Sequence, residues 1–104
     1  MPHPRFMELL DEMKRIHLAK DHDYAGAVPF RNLKRSAEFG VEPWLGAMVR
    51  MSDKWSRLEQ LATKDPAVVG ESFDDTLIDL ANYALICYIL REEAKEAREN
   101  ACKK

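Results

Sequence analysis

The acidic residues that open the last apolar stretch of the chain are the first to suggest chemistry. Glu71, Asp75 and Asp79 stand four residues apart. On an α-helix this spacing places three carboxylates on one face, with Asn82 about one turn later. Like charges at i and i+4 destabilise an isolated helix by ~0.2–0.5 kcal/mol per pair, so something should offset the repulsion. Carboxylate oxygens suit a hard divalent cation, and the pattern therefore predicts a Mg²⁺ or phosphate site.

Helix capping is the alternative explanation for the first of these acids. Acidic residues are favoured in the first turn of a helix by the helix dipole. The run 72–75, Ser-Phe-Asp-Asp, also resembles a capping box. Capping does not account for Asp79, which lies further along, within the apolar run 77–81. An acid in such a position is rarely buried without a partner, so we expect Asp79 to have one.

A second cluster of charged residues precedes these acids in the sequence and offers possible partners for them. Asp53 lies among Arg50, Lys54 and Arg57. One interpretation is a local cluster of ion pairs on a solvated helix face. The other is a fourth carboxylate that faces the first three, with cations ready for phosphate oxygens. The residue types alone leave both interpretations open.

Helices must position these groups, because the apolar residues recur at helical spacing throughout the chain. The pattern predicts a helix over 5–20, with Pro4 at its first position, and a loop over 21–30. A short helix over 31–39 follows, with Gly40 placed to cap its C-terminus. No convincing strand is present, so the predicted fold is an all-α bundle of three long helices and one short one.

The two remaining helices carry the acidic and basic groups. Pro43 opens the third, whose apolar stripe is Trp44, Met48, Met51, Trp55, Leu58 and Ala62. The last begins near 66–72, and its apolar residues are Phe73, Leu77, Leu80, Ala81, Ala84, Leu85 and Tyr88. It ends in a charged helical tail over 92–104. These apolar faces exceed what one bundle needs, so we expect the bundle to be completed by oligomerisation.

Length, charge and cysteine content limit the functional class. The 104 residues fit a single domain, 1–104. With 16 basic and 18 acidic residues the net charge is −2, which argues against nucleic acid or a membrane surface as partner. No targeting segment or membrane span is evident. The two cysteines, Cys87 and Cys102, form no disulfide framework, so we expect a cytoplasmic protein.

Four blocks of sequence together resemble a known family. They are 20–24 (KDHDY), 29–32 (PFRN), 50–58 (RMSDKWSRL) and 71–83 (ESFDDTLIDLANY). In this order they look like small phage and prophage proteins described as MazG-like or nucleotide-modification-associated. The resemblance runs from about residue 10 to 92, and the last block is its most specific part. It implies membership of the all-α nucleoside triphosphate pyrophosphohydrolase superfamily, whose members form dimers or tetramers.

The resemblance also implies an activity and a set of roles. Enzymes of this superfamily use Mg²⁺ to hydrolyse a nucleotide to its monophosphate and pyrophosphate, and Mn²⁺ is a possible substitute. Here the metal ligands would be Asp53, Glu71, Asp75 and Asp79. Glu71, the longest of the acids, is the candidate general base, and Lys54 and Arg57 would neutralise charge on phosphate oxygens. Candidate substrate-binding residues are Lys20, Tyr24, Arg31, Asn32, Asn82 and Tyr83.

A second functional class remains open because the pattern departs from the superfamily in two places. The superfamily carries a pair of glutamates three apart on the helix before the acidic ladder, whereas this helix has Asp53 without a second acid within one turn. The ladder itself runs in steps of four rather than three. The alternative is a non-catalytic helical oligomer that binds a nucleotide or a host protein as a regulator.

Overall fold

The structure, a computed structural model, describes residues 1–23 (of 20–23 the backbone alone), 30–63 and 72–102. Within these ranges it has four α-helices, one 3₁₀ helix and no strand, which confirms the predicted all-α class. The elements are α1 (Pro4–Asp23), α2 (Arg31–Lys34), the 3₁₀ helix (Arg35–Phe39), α3 (Pro43–Thr63) and α4 (Phe73–Cys102). No helix in this part of the chain combines the length and apolar character that a membrane crossing requires.

Helix α1 begins where the sequence predicts and ends later. Pro4 takes the first helical position, and the backbone N–H of Arg5 donates to His3 Nδ1 at 3.1 Å. The predicted loop over 21–30 was wrong for 21–23, which continue the helix to Asp23. That prediction rested on the loss of apolar periodicity, and no helix-breaking residue occurs before position 24. The rest of the predicted loop, 24–29, lies outside the described residues.

Two residues in the connection between α1 and α3 have a left-handed backbone conformation. Phe30 precedes α2 with φ 58° and ψ 32°, and its ring packs against the core. Gly40 ends the 3₁₀ helix with φ 76°, and its backbone N–H donates to the carbonyl of Ala37 at 3.1 Å. The short helix capped by Gly40 is therefore confirmed, although its second half is 3₁₀ rather than α.

The core lies where α3 and α4 pack against each other in antiparallel directions. Ala47 of α3 is fully buried against Ile86 and Leu90 of α4. Partly buried side chains from α2, α3 and α4 surround this cluster, together with the ring that precedes α2: Phe30, Leu33, Trp44, Tyr83 and Cys87. The small side chain of Ala47 lets the two helices approach closely, so this contact is the centre of the bundle.

The buried face of α3 differs from the predicted stripe by a rotation. Trp55 is 58% exposed and Met48 50% exposed in the single chain, although both belong to the stripe that was expected to pack in the core or at an interface. Leu58, a member of the stripe, is only 4% exposed, and Trp44 packs against the core, so this part of the prediction is confirmed. The rest of the buried side is Ala47 and the half-buried Lys54, which lie outside the stripe. The stripe is offset from the buried side because the large apolar side chains pass over a small alanine and a paired lysine that lie on that side.

Helix α4 begins at Phe73 with a side-chain cap. Ser72 Oγ accepts a hydrogen bond from the backbone N–H of Asp75 at 2.9 Å, and the Thr76 hydroxyl donates to the Ser72 carbonyl at 3.0 Å. Its buried residues are Thr76, Ile86 and Leu90, which do not belong to the predicted apolar set. Five members of that set are exposed instead: Phe73, Leu77, Ala84, Leu85 and Tyr88. The charged tail remains helical to Cys102.

We expect Gly40→Ala to destabilise the protein by about 1 kcal/mol. The added Cβ meets no atom within 4 Å, so crowding is absent and the left-handed backbone is the whole cause. Gly40→Asn is the matched control, because asparagine tolerates this conformation better and should lose less. Urea unfolding of the three proteins measures the difference, and equal midpoints for Ala, Asn and wild type would contradict the explanation.

Candidate functional site

An ion pair between α3 and α4 forms the centre of the candidate site. Lys54 Nζ lies 3.2 Å from Asp79 Oδ2, and the two side chains are 21% and 26% exposed. Asp79 shares its helix face with the buried Thr76 and Ile86, three residues before it and seven after it. The partner that Asp79 was expected to need is therefore Lys54, which reaches it from the facing helix.

Asp75 stands one turn before Asp79 and is exposed at the start of α4. Its backbone N–H is used by the Ser72 cap, and both Asp74 and Asp75 lie in the first turn. The capping interpretation therefore holds for this turn, and the carboxylate of Asp75 still faces solvent. Glu71, the first acid of the predicted ladder and the candidate general base, lies outside the described residues.

The α3 side of the site presents cations beside a single acid. Asp53 is exposed and precedes Lys54 by one residue, which places it about 100° around the helix from the lysine. Arg57 is exposed and lies about one turn after Lys54, on nearly the same side of α3. Asp53 thus does not share the α4-facing side of α3 with Lys54.

A mainly apolar groove lies between α1 and α4, next to the ion pair along α4. Asn82, half-buried three residues after Asp79, contributes its amide to the wall. The groove has a volume of about 240 Å³, and its other lining residues include Leu10, Met13, Lys14, His17, Phe30 and Ile89. The rings of His17 and Phe30 are 6.4 Å apart at 41°. A flat apolar group with a polar edge suits such a groove.

The other predicted substrate-binding residues do not converge on one place. Tyr83 is half-buried and packs against the Ala47 cluster, so it contributes to the core. Arg31 and Asn32 are exposed on α2. Lys20 lies in α1 with only its backbone described, and Tyr24 is outside the described residues. Among the predicted residues, the structure therefore pairs Lys54 of α3 with Asp79 of α4, and Asn82 follows Asp79 by three residues at the wall of the groove.

Sequence reasoning missed a basic surface on the last turns of α4. Arg91 lies over the Trp44 ring, with its guanidinium carbon 4.5 Å from the ring centroid. Arg98 Nη2 lies 3.3 Å from Glu42 Oε1, and Glu42 also accepts a hydrogen bond from the Trp44 indole. The signal was the basic spacing 91, 95 and 98, one side of a helix. These contacts tie the start of α3 to the end of α4.

The described residues offer few side-chain donors for a metal ion. Among the described residues no three histidine, cysteine or acidic side chains form a group able to hold a metal ion. Mg²⁺ in nucleotide enzymes commonly uses one or two carboxylates, and completes its shell with water and substrate phosphates. Asp75 and Asp79, one turn apart on α4, would be the carboxylates available to such an ion, and Asp79 is paired with Lys54.

Comparison with known proteins gives one match. A family model described as nucleotide modification associated domain 1 matches residues 20–90, which is well over half of the chain. No curated protein and no solved structure shows a significant match. The matched range includes the ion pair, the three aspartates of α4 (Asp74, Asp75 and Asp79) and the short connection before α3.

Removing Lys54 should destabilise the fold more than removing an exposed cation. We expect Lys54→Met to lower the free energy of unfolding by roughly 1–3 kcal/mol, because it takes the counter-charge from a carboxylate that is mostly buried. Adding Asp79→Leu should recover most of this loss, since apolar pairs replace buried ion pairs well.

The matched control is Arg5→Met. Arg5 pairs with Glu8 at 3.0 Å, and the two side chains are 60% and 63% exposed. Loss of this exposed ion pair should lower the free energy of unfolding by less than about 0.5 kcal/mol. Urea unfolding measures all four proteins, and a Lys54→Met effect no larger than that of Arg5→Met would show that the ion pair does not hold the helices together.

Proposed function

Since the chain belongs to the family described as nucleotide modification associated domain 1, we propose that it acts on nucleotides. The proposed activity is Mg²⁺-dependent hydrolysis of a nucleoside triphosphate, ribo or deoxyribo, to its monophosphate and pyrophosphate. The biological setting would be control of the nucleotide pool in the cytoplasm, in a phage or prophage context. The observation that carries the proposal is the Lys54–Asp79 pair between α3 and α4, with Asp75 exposed one turn away.

The charges around this pair match the chemistry of a triphosphate. Asp75 and Asp79 would hold the cation, together with Glu71 and Asp53 if these approach when substrate binds. Bound Mg²⁺ supplies Lewis-acid polarisation of a phosphoryl oxygen. Lys54 and Arg57 lie on the opposite side of the site, on α3, where ammonium and guanidinium groups can bind phosphate oxygens and stabilise charge that develops on them.

In this proposal, the groove beside Asn82 binds the base of the nucleotide. Its apolar walls and its volume of about 240 Å³ suit a base, and an amide can both donate to and accept from a base edge. Asn82 follows Asp79 by three residues, so it stands one turn from the proposed phosphate end. The base would then lie between α1 and α4 and the phosphates near α3. Glu71, as general base, would take the proton of the attacking water.

The alternative is a nucleotide-binding regulator that does not catalyse hydrolysis. A specific observation favours it: Lys54 already neutralises Asp79, and the exposed Asp53 stands on another side of α3. A site with this charge balance can bind phosphates through its cations without holding a catalytic metal. The two functions share the same residues and differ in whether pyrophosphate is released.

A homo-oligomer belongs to the proposal because the single chain exposes too much surface. The protein exposes 8519 Å², while a compact 12.0 kDa protein exposes roughly 6,000 Å². Its radius of gyration is 16.4 Å, compared with about 13 Å for a compact domain of this length. The surplus of about 2,500 Å² exceeds the ~800 Å² that each partner contributes to a standard interface. We therefore propose a homodimer or homotetramer.

Pyrophosphate release tests the enzymatic proposal. We expect release from at least one common NTP or dNTP with Mg²⁺ or Mn²⁺, and none with EDTA. Asp75→Asn and Asp79→Asn should each lower the rate by about 100-fold or more, as loss of a charge-stabilising group does. Glu96→Gln, an exposed change on the same helix, should leave the rate unchanged.

A binding measurement separates the two candidate functions. Isothermal titration with each nucleotide, in the presence of Mg²⁺ and in its absence, is run beside the release assay. Metal-independent binding that Lys54→Met weakens, without pyrophosphate release, would replace the enzyme by the regulator. Neither binding nor release with any common or base-modified nucleotide, from protein shown to be folded, would overturn both.

A further inference from the structure

Helix α4 carries a second apolar side that the single chain does not cover. Its core side runs through Thr76, Ile86 and Leu90. A different side carries Leu77, Ala81, Ala84 and Tyr88, at spacings of four, three and four, which is one straight stripe on a helix. We call these four residues the outer stripe. A helix that is apolar on both sides requires cover on both.

The outer stripe is accessible along most of its length. Tyr88 is 68% exposed and Leu77 is 43% exposed, and Ala84 between them is also exposed. Ala81 is half-buried. About three turns of α4 therefore present apolar side chains to solvent on this side.

The order of side-chain sizes along the stripe is symmetric. It reads large, small, small, large, and the spacings four, three, four are the same in both directions. A two-fold axis between positions 82 and 83 would place Leu77 of one chain opposite Tyr88 of another, and Ala81 opposite Ala84. The two central alanines permit a close approach of the helix axes, near the short end of the usual 8–10 Å. An interface of this kind is self-complementary.

We propose that the outer stripe is the contact between two copies of this chain, with the two α4 helices packed antiparallel about that axis. This inference rests on the homo-oligomer proposed above and specifies its interface. The surplus surface is large enough for such a contact. The occupant is a second copy rather than a different protein, because a two-fold pairing of the stripe with itself sets the large side chains against each other and the alanines against each other.

The arrangement has a consequence for the candidate site. Asp79 and Asn82 lie on α4 between Leu77 and Tyr88 in sequence, but project from other sides of the helix. An antiparallel pair would therefore hold two candidate sites close together along one helix pair, with their openings directed away from the shared axis. Loss of the interface should leave the Lys54–Asp79 pair intact, because that pair is internal to one chain.

Cysteine cross-linking tests the register. In a Cys87→Ser/Cys102→Ser background, Leu77→Cys and Tyr88→Cys proteins are each oxidised alone and then after mixing. We expect a disulfide dimer from the mixture and little from either alone, because residues 77 of the two chains would stand about 16 Å apart along the axis. Leu77→Cys mixed with Glu96→Cys, on a different side of the same helix, is the negative control.

Light scattering after gel filtration tests the association itself. The wild type should run as a dimer or tetramer, and Ala84→Arg should shift it towards smaller species while circular dichroism stays helical. Ala97→Arg, an exposed alanine further along α4, is the matched control and should not shift it. A dimer with no cross-link in the mixture would overturn the interface while leaving the oligomer. A monomeric wild type would overturn both the interface and the homo-oligomer. The pyrophosphate release assay does not depend on either result, so it tests the enzymatic activity separately.

Discussion

The ion pair between Lys54 and Asp79 requires one particular orientation of α3 against α4. Asp79 lies on the core side of α4, where an isolated carboxylate is costly. Lys54 offsets that cost only when α3 is rotated so that the lysine faces α4. This rotation also brings Ala47 into the closest contact and turns Trp55 towards solvent. The ion pair, the close packing at Ala47 and the exposure of Trp55 therefore all belong to the same orientation of α3.

The features predicted from sequence are those with local causes. Pro4, Gly40 and Pro43 act through their own backbone conformation, and the elements that they start or end lie where expected. The orientation of α3 was predicted only in part: Trp44 and Leu58 pack inward as expected, but the inward position of Lys54 depends on Asp79 of another helix. For the site, the need of Asp79 for a partner followed from its neighbours in sequence. The identity of the partner required the packing of α3 on α4.

The same pair places a constraint on the proposed chemistry. A carboxylate oxygen engaged by an ammonium group is less available to a divalent cation. Binding of Mg²⁺ at Asp79 therefore requires that Lys54 move to a phosphate oxygen, or that Asp75 provide most of the coordination. Either route couples cation binding to substrate binding, because the triphosphate brings both the anion that attracts Lys54 and oxygen ligands for the metal.

Phe30 connects the conformation of the backbone to the state of the groove. A bulky residue in the left-handed region costs about 1 kcal/mol or more relative to an ordinary conformation. Its ring lines the groove and packs against the core, which holds it there. By thermodynamic linkage, a ligand that packs against the ring stabilises this conformation, while one that displaces it releases the strain at the start of α2. Binding in the groove can thus change the backbone conformation at residue 30 and, through it, that of the segment that precedes α3.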